Sequence, residues 1–167
     1  MPFLDASAPI RKSFKEPEVG LWEVAGAALR RLVWFDRSGK EIGAVGAPDP
    51  GNSRDAELSP DEKHVGVSRT IDGNPDVWIV DTMKGVPSRL TSDPGMDIYP
   101  TWSPDGQWLV FGSTRKKGVY DLYRKLSINA GPEELLLDSS QNKVPHDWSS
   151  DGKFILYREN DRKNGFP

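Results

Sequence analysis

Three short segments recur along the chain at nearly constant spacing. They are Leu58-Ser59-Pro60-Asp61-Glu62, Trp102-Ser103-Pro104-Asp105-Gly106 and Trp148-Ser149-Ser150-Asp151-Gly152. Ser59 and Ser103 lie 44 residues apart, and Ser103 and Ser149 lie 46 apart. A second landmark follows the first two: Trp78, in Asp76-Val77-Trp78, is 19 residues after Ser59, and Tyr123, in Asp121-Leu122-Tyr123, is 20 after Ser103. Trp34 precedes Trp78 by another 44. A period near 45 with several short strands per unit is the mark of propeller blades.

Within one unit the residue types dictate the local structure. Ile98–Trp102 reads as a strand, and Ser103-Pro104-Asp105-Gly106 as a turn. Pro presets φ, Asp can bond its own backbone, and Gly accepts positive φ. Trp108–Phe111 is almost continuously apolar, as a strand covered on both faces must be. Val119–Leu126 and Glu133–Leu137 complete four strands. The preceding unit repeats the scheme at Arg54–Leu58, Lys63–Arg69, Asp76–Asp81 and Ser88–Thr91. Upstream, Gly20–Val24, Arg31–Asp36 and Lys40–Val45 read as strands two to four of an incomplete unit, with a weaker candidate first strand at Ile10–Lys15. Downstream, Val144–Trp148 and Phe154–Arg158 begin a last unit. The expectation is an all-β, partial β-propeller: residues 1–18 as a tail or linker, and 19–167 as the propeller. The blades fall at about 19–46 (incomplete), 54–91, 97–137 and 144–167 (incomplete). Two whole blades do not close a ring, so a segment of a longer protein is expected; pairing of two copies into one ring is the other route.

Composition agrees. The 167 residues include 16 Gly and 14 Pro, too many for long helices or helical bundles. The net charge of −3 argues against a nucleic-acid partner, which calls for a basic excess. Cysteine is absent, which removes disulfides, thiolate metal sites and cysteine nucleophiles. No apolar run reaches the roughly 20 residues of a membrane helix, and the N-terminus has no signal-peptide core.

The unit W-S-P-D-G-x-W-L-V-F-x-S-x-R-x-x-G-x-x-D-L-Y, from Trp102 to Tyr123, closely resembles the TolB-type, WD40-like propeller repeat of bacteria. The resemblance covers about residues 19–167. Glu62 stands where the turn Gly belongs, and Ser150 where the Pro belongs. Leu29–Gly43 (L-R-R-L-V-W-F-D-R-S-G-K-E-I-G) looks like the start of the propeller in the extracytoplasmic half of bacterial membrane-bound serine/threonine kinases. That resemblance implies a periplasmic or outward-facing sensor that binds a protein or peptide. It implies no kinase activity, since neither H-R-D nor D-F-G occurs. Prolyl-oligopeptidase-type enzymes carry a similar propeller, and a gating segment of one is the alternative. No G-x-S-x-G elbow is present.

The candidate sites follow the repeat. Trp34, Trp78, Trp102 and Trp148 sit at paired repeat positions, which points to packing between blades rather than to a stacking platform. Asp61, Asp105 and Asp151, with Gly106 and Gly152, read as turn residues, and Asp76 and Asp121 as partners of nearby donors. Asp72-Gly73-Asn74-Pro75-Asp76 has oxygen ligands at alternate positions, but Val77 and Met83 stand where a calcium loop needs Gly and Glu. His64 and His146 occupy unrelated repeat positions, so no metal, cofactor or catalytic triad is expected. Arg69, Arg115 and Arg158 follow the second strand of successive units, on the same end as loops carrying Asp49, Asp93, Asp97 and Asp138. Two readings stand: a mixed-charge recognition rim, or Arg–Asp pairing that holds the rim together.

Overall fold

Strands whose alternating side chains meet a neighbouring sheet on either face govern the architecture. In the computed structural model, residues 19–24, 27–116, 118–138 and 140–160 are described, with side chains from Leu29 onward. The strands are β1 (Val19–Val24), β2 (Ala27–Phe35), β3 (Glu41–Asp49), β4 (Arg54–Leu58), β5 (His64–Ile71), β6 (Asn74–Asp81), β7 (Pro87–Arg89), β8 (Asp97–Trp102), β9 (Trp108–Ser113), β10 (Asp121–Leu126), β11 (Glu134–Leu137), β12 (Lys143–Trp148) and β13 (Ile155–Glu159). They form four antiparallel sheets in sequence order: β1-β2-β3, β4-β5-β6-β7, β8-β9-β10-β11 and β12-β13. The all-β partial propeller is therefore as the repeat predicts. The candidate strand at Ile10–Lys15 lies outside the described residues.

Each inner sheet is covered on both faces, so its strands carry apolar residues in both parities. Leu109, Val110 and Phe111 of β9 are all fully buried. In β6 the parity separates two cores. Val77 and Ile79, with Leu90, face the third sheet and pack with Trp102, Leu109, Phe111 and Tyr123. Val80 joins Val65 and Val67 in a second cluster with Leu32 and Val45 of the first sheet, and Trp34 and Trp78 lie against it. Stability therefore resides between neighbouring sheets rather than within one.

The three S-x-D-[EG] turns are built identically. Each Ser hydroxyl donates to the Asp two residues on, at 2.6 Å from Ser59, 2.6 Å from Ser103 and 2.7 Å from Ser149. The same carboxylate oxygen accepts the backbone N–H of Lys63, Gln107 or Lys153, and the Ser oxygen accepts that of His64, Trp108 or Phe154. The fourth turn position has positive φ: 62° at Glu62, 70° at Gly106 and 74° at Gly152. Glu62 thus adopts the glycine conformation despite its side chain.

The hydrogen bonds at these turns hold the Asp61 and Asp105 carboxyls below the usual carboxylate range, led by the Ser hydroxyls and then the backbone N–H groups; Asp151 behaves alike. A lowered folded value means their contribution is complete above about pH 4 and is lost as pH falls through that lowered value. Buried Asp76 and Asp97 act oppositely. Burial raises both, so their ionisation costs stability as pH rises from the ordinary carboxylate value. Urea titrations from pH 7 to pH 2.5 should show a midpoint that falls below about pH 4, with a shallower fall in Asp105→Asn; a midpoint that rises on acidification would contradict this assignment.

The first and second sheets meet backbone to backbone. An ideal Cβ on Gly85, in the β6–β7 turn, would stand 2.2 Å from Gly46 Cα in β3, and both glycines have positive φ. Gly85→Ala adds a backbone clash to a left-handed alanine, and should cost about 2–4 kcal/mol. Its urea midpoint should drop accordingly, whereas Gly73→Ala, with open space around the added carbon, should cost only about 1 kcal/mol from its own positive φ.

Candidate functional site

At one end of the sheets the loops joining successive blades run beside the ends of the second strands, which is where the sequence places the mixed-charge rim. Asp49 ends β3, and its Oδ1 accepts the backbone N–H of Gly51 at 2.9 Å. Asp93 precedes β8 and accepts the N–H of Gly95 at 2.8 Å in the same way. These are identical Asp-Pro-Gly tripeptides 44 residues apart. The repeat of that tripeptide was legible in the sequence and marks the junctions more sharply than the loop boundaries do.

Arg69 crosses from β5 to Asp49 of the first sheet, with Nε–Oδ2 2.7 Å and Nη2–Oδ1 2.6 Å, and lies 4.7 Å above the Trp78 ring. Ser53 also donates to Asp49. Burial pushes the Asp49 carboxyl up, but Arg69, Ser53 and Gly51 together outweigh it and hold the group below its ordinary value. Arg115 repeats the arrangement one unit on, 4.3 Å above the Tyr123 ring. It binds both oxygens of Asp97, at 3.1 and 3.0 Å, reaches Glu133, and has Asp93 at 3.9 Å. Asp97 is wholly buried at the start of β8, not on a loop surface, and the Arg115 side chain is only 13% exposed.

The other predicted positions differ. Arg158 is exposed in β13, and Asp138 is exposed with Lys116 3.7 Å away. At the repeat position of Asp97 the last sheet carries Lys143, buried beside Glu159 at 3.6 Å, so the charge order is inverted there. Nothing in the sequence pattern signalled that inversion. Trp102 donates its indole N–H to Glu57 O across the sheets at 3.1 Å. Trp148, its repeat equivalent, turns to Gly152 O of its own hairpin at 3.0 Å.

Asp76 is buried against Arg89 at 2.5 Å and Thr91 at 3.4 Å. Asp72-Gly73 forms a two-residue hairpin turn with positive φ at both positions, between the paired Ile71 and Asn74. Among the described residues no group of three or more His, Asp or Glu could hold a metal ion, and no helix is long and apolar enough to cross a membrane.

The serial sheets, the shared turn and the Asp-Pro-Gly junctions together define a repeat that a family model recognises: residues 39–166 match the TolB beta propeller domain. The chain belongs to the TolB β-propeller domain family. It is 30% identical over 89 residues to the Tol-Pal system protein TolB of Helicobacter pylori, covering 53% of this chain and 21% of that protein. A protein of Agrobacterium fabrum is 32% identical over 99 residues, covering 59% of this chain and 33% of the other. The chain thus spans between a fifth and a third of these relatives. Its fold matches the crystal structure of TolB from Acinetobacter baumannii with a TM-score of 0.67 at 24% identity, over 83% of this chain and 34% of that one. The tricorn protease shares the fold at a TM-score of 0.59 and 13% identity, over 84% of this chain and 14% of that one. In this TolB-type segment Arg69 bridges two sheets, while Arg115 pairs within its own sheet and has Asp93 of the joining loop 3.9 Å away.

Proposed function

We propose that this TolB-type segment is a non-catalytic binding module that presents its blade-joining loops to a protein or peptide in the bacterial periplasm. The observation that carries the reading is the doubled Asp-Pro-Gly lock. Asp49 and Asp93 fold two successive junctions identically, one blade apart, on a base held by Arg69 and Arg115. Loops fixed at regular spacing on a rigid sheet edge suit recognition of a partner surface. The buried ionisable groups beneath them pair with one another, which fits a scaffold better than an acid–base centre. The extracytoplasmic region of a membrane-bound kinase is the setting that Leu29–Gly43 suggests. A peptidase gating propeller shares only the fold, at 13–16% identity, whereas the TolB relatives are 30–36% identical over the matched stretches.

A photo-crosslinking amino acid tests the reading. Placed at Asp138 or Arg158, it should yield discrete adducts in bacterial envelope extract. Placed at Lys84 or Lys153, on the turns at the opposite end, it should not. Equal labelling from both ends, or hydrolysis of proline-containing peptides by the purified chain, would overturn the proposal.

A further inference from the structure

Three Asp-Gly pairs occur in the chain: Asp72-Gly73, Asp105-Gly106 and Asp151-Gly152. All three aspartates are exposed, so exposure does not distinguish them. Their hydrogen bonds do. Asp105 and Asp151 accept the Ser103 and Ser149 hydroxyls at 2.6 and 2.7 Å, and a backbone N–H two residues on at 3.0 and 3.1 Å. The N–H of Gly106 donates to Ser103 O at 2.9 Å, and that of Gly152 to Ser149 O at 2.8 Å. Asp72-Gly73 has neither restraint. The Asp72 carboxylate has no hydrogen-bond or ionic partner among the described residues, and the Gly73 N–H donates to no backbone carbonyl there. The pair is the whole loop of the β5–β6 hairpin, and a carbon added to Gly73 would meet nothing within 4 Å.

A carboxyl beside a free backbone nitrogen can close a five-membered ring, and glycine leaves that nitrogen open to approach. We infer that Asp72-Gly73 is a site of isoaspartate formation, a spontaneous modification that the two Ser–Asp turns resist. The Gly73 nitrogen gives its proton to water and bonds to Asp72 Cγ; the Cγ–O bond of the protonated carboxyl breaks, and water leaves. Water then adds to the succinimide. Cleavage of the new Cγ–N bond restores aspartate. Cleavage between Gly73 N and the Asp72 backbone carbonyl carbon leaves the main chain running through Cγ. No oxidant or cofactor is consumed, and the mass is unchanged. At Asp105 and Asp151 the locking bonds must open first. Those bonds, led by the Ser hydroxyls, also hold both carboxyls below the usual range, away from the acid form that loses water. The product has an extra backbone atom in a two-residue loop, so the Ile71–Asn74 pairing is lost. Asn74 Nδ2 donates to Asp93 O at 2.9 Å, so the change loosens the neighbouring Asp-Pro-Gly junction. The modification needs no docking partner and stands independently of what the loops bind.

The test is to age the full chain in mildly acidic buffer, digest it with trypsin and quantify isoaspartate at each Asp-Gly pair by chromatography and electron-transfer fragmentation. Asp72 should isomerise at least about tenfold faster than Asp105 or Asp151, since each bond to a charged group that must open first slows the step by roughly that factor. In concentrated urea the three rates should converge. Ser149→Ala, in the last hairpin, should raise the Asp151 rate in the folded chain. The aged Asp72 peptide should accept a methyl group from S-adenosylmethionine through an isoaspartyl methyltransferase. Asn164-Gly165, outside the described residues, deamidates with a change of mass and is read apart. Equal rates at the three pairs in the folded chain, or an Asp72 lead that persists unchanged in urea, would overturn the proposal without recourse to any variant.

Discussion

Arg115→Ala should destabilise the protein by about 3–5 kcal/mol, the usual consequence of removing one member of a buried charge pair. The substitution deletes both bonds to Asp97, the link to Glu133 and the cation that lies over Tyr123. Asp97 is left wholly buried, with only hydroxyl partners such as Ser113 and Thr91. Its carboxyl, already raised by burial, then loses the nearby positive charge and rises further. The sign follows: the variant is penalised most where Asp97 must ionise, so the gap from the parent protein narrows as pH falls toward 4. Urea unfolding of both proteins at pH 7 and pH 4.5 measures this, and a gap that is constant or wider at pH 4.5 would refute the assignment. Arg115→Ala/Asp97→Asn should recover part of the loss, because no unpaired charge remains.

Trp102→Ala should cost a similar amount, about 3–5 kcal/mol. Trp102 is 5% exposed and closes the cluster between the second and third sheets, where it meets Val77, Ile79 and Leu90. Its indole N–H also satisfies Glu57 O across the junction. Trp102→Phe separates the two contributions. It keeps most of the apolar volume and forfeits the hydrogen bond, for about 1–2 kcal/mol. Trp148→Ala is the internal comparison: its indole bonds within its own hairpin and its ring is only partly buried, so the loss should be well under half that of Trp102→Ala. Thermal unfolding followed by tryptophan fluorescence distinguishes these outcomes. Equal losses at the two positions would show that repeat equivalence, rather than the local contacts, sets their worth.

The all-β repeat architecture was legible because it rests on spacing. Turn chemistry at Ser59, Ser103 and Ser149 fixes where strands begin, and alternation fixes which side chains turn inward. The bulges were not legible. Each first strand, β4, β8 and β12, slips its register, between Arg54 and Glu57, Ile98 and Thr101, and Pro145 and Asp147. Two of these bulges place Asp55 and Tyr99 at positive φ, 44 residues apart, though neither residue type announces it. Partner choice was only half legible. Equivalent positions predicted that Arg69 and Arg115 sit alike, but not that one pairs across sheets with Asp49 while the other pairs with Asp97 and Glu133 of its own sheet. Such pairings depend on which carboxylate the third dimension brings near.

The identical Ser–Asp turns also bear on how the chain acquires its structure. Each turn closes within six residues and needs nothing from another sheet, so its hairpin can form early and at small entropic cost. Contacts between sheets come second, because each cluster needs two assembled hairpins. The order of assembly is then a zipper along the chain: any adjacent pair of sheets can start it, and every later sheet docks on an existing neighbour. The middle pair, which shares Trp102 and Phe111, has the largest completed interface to offer as a starting point. A growing chain would have that pair available before the last hairpin is synthesised.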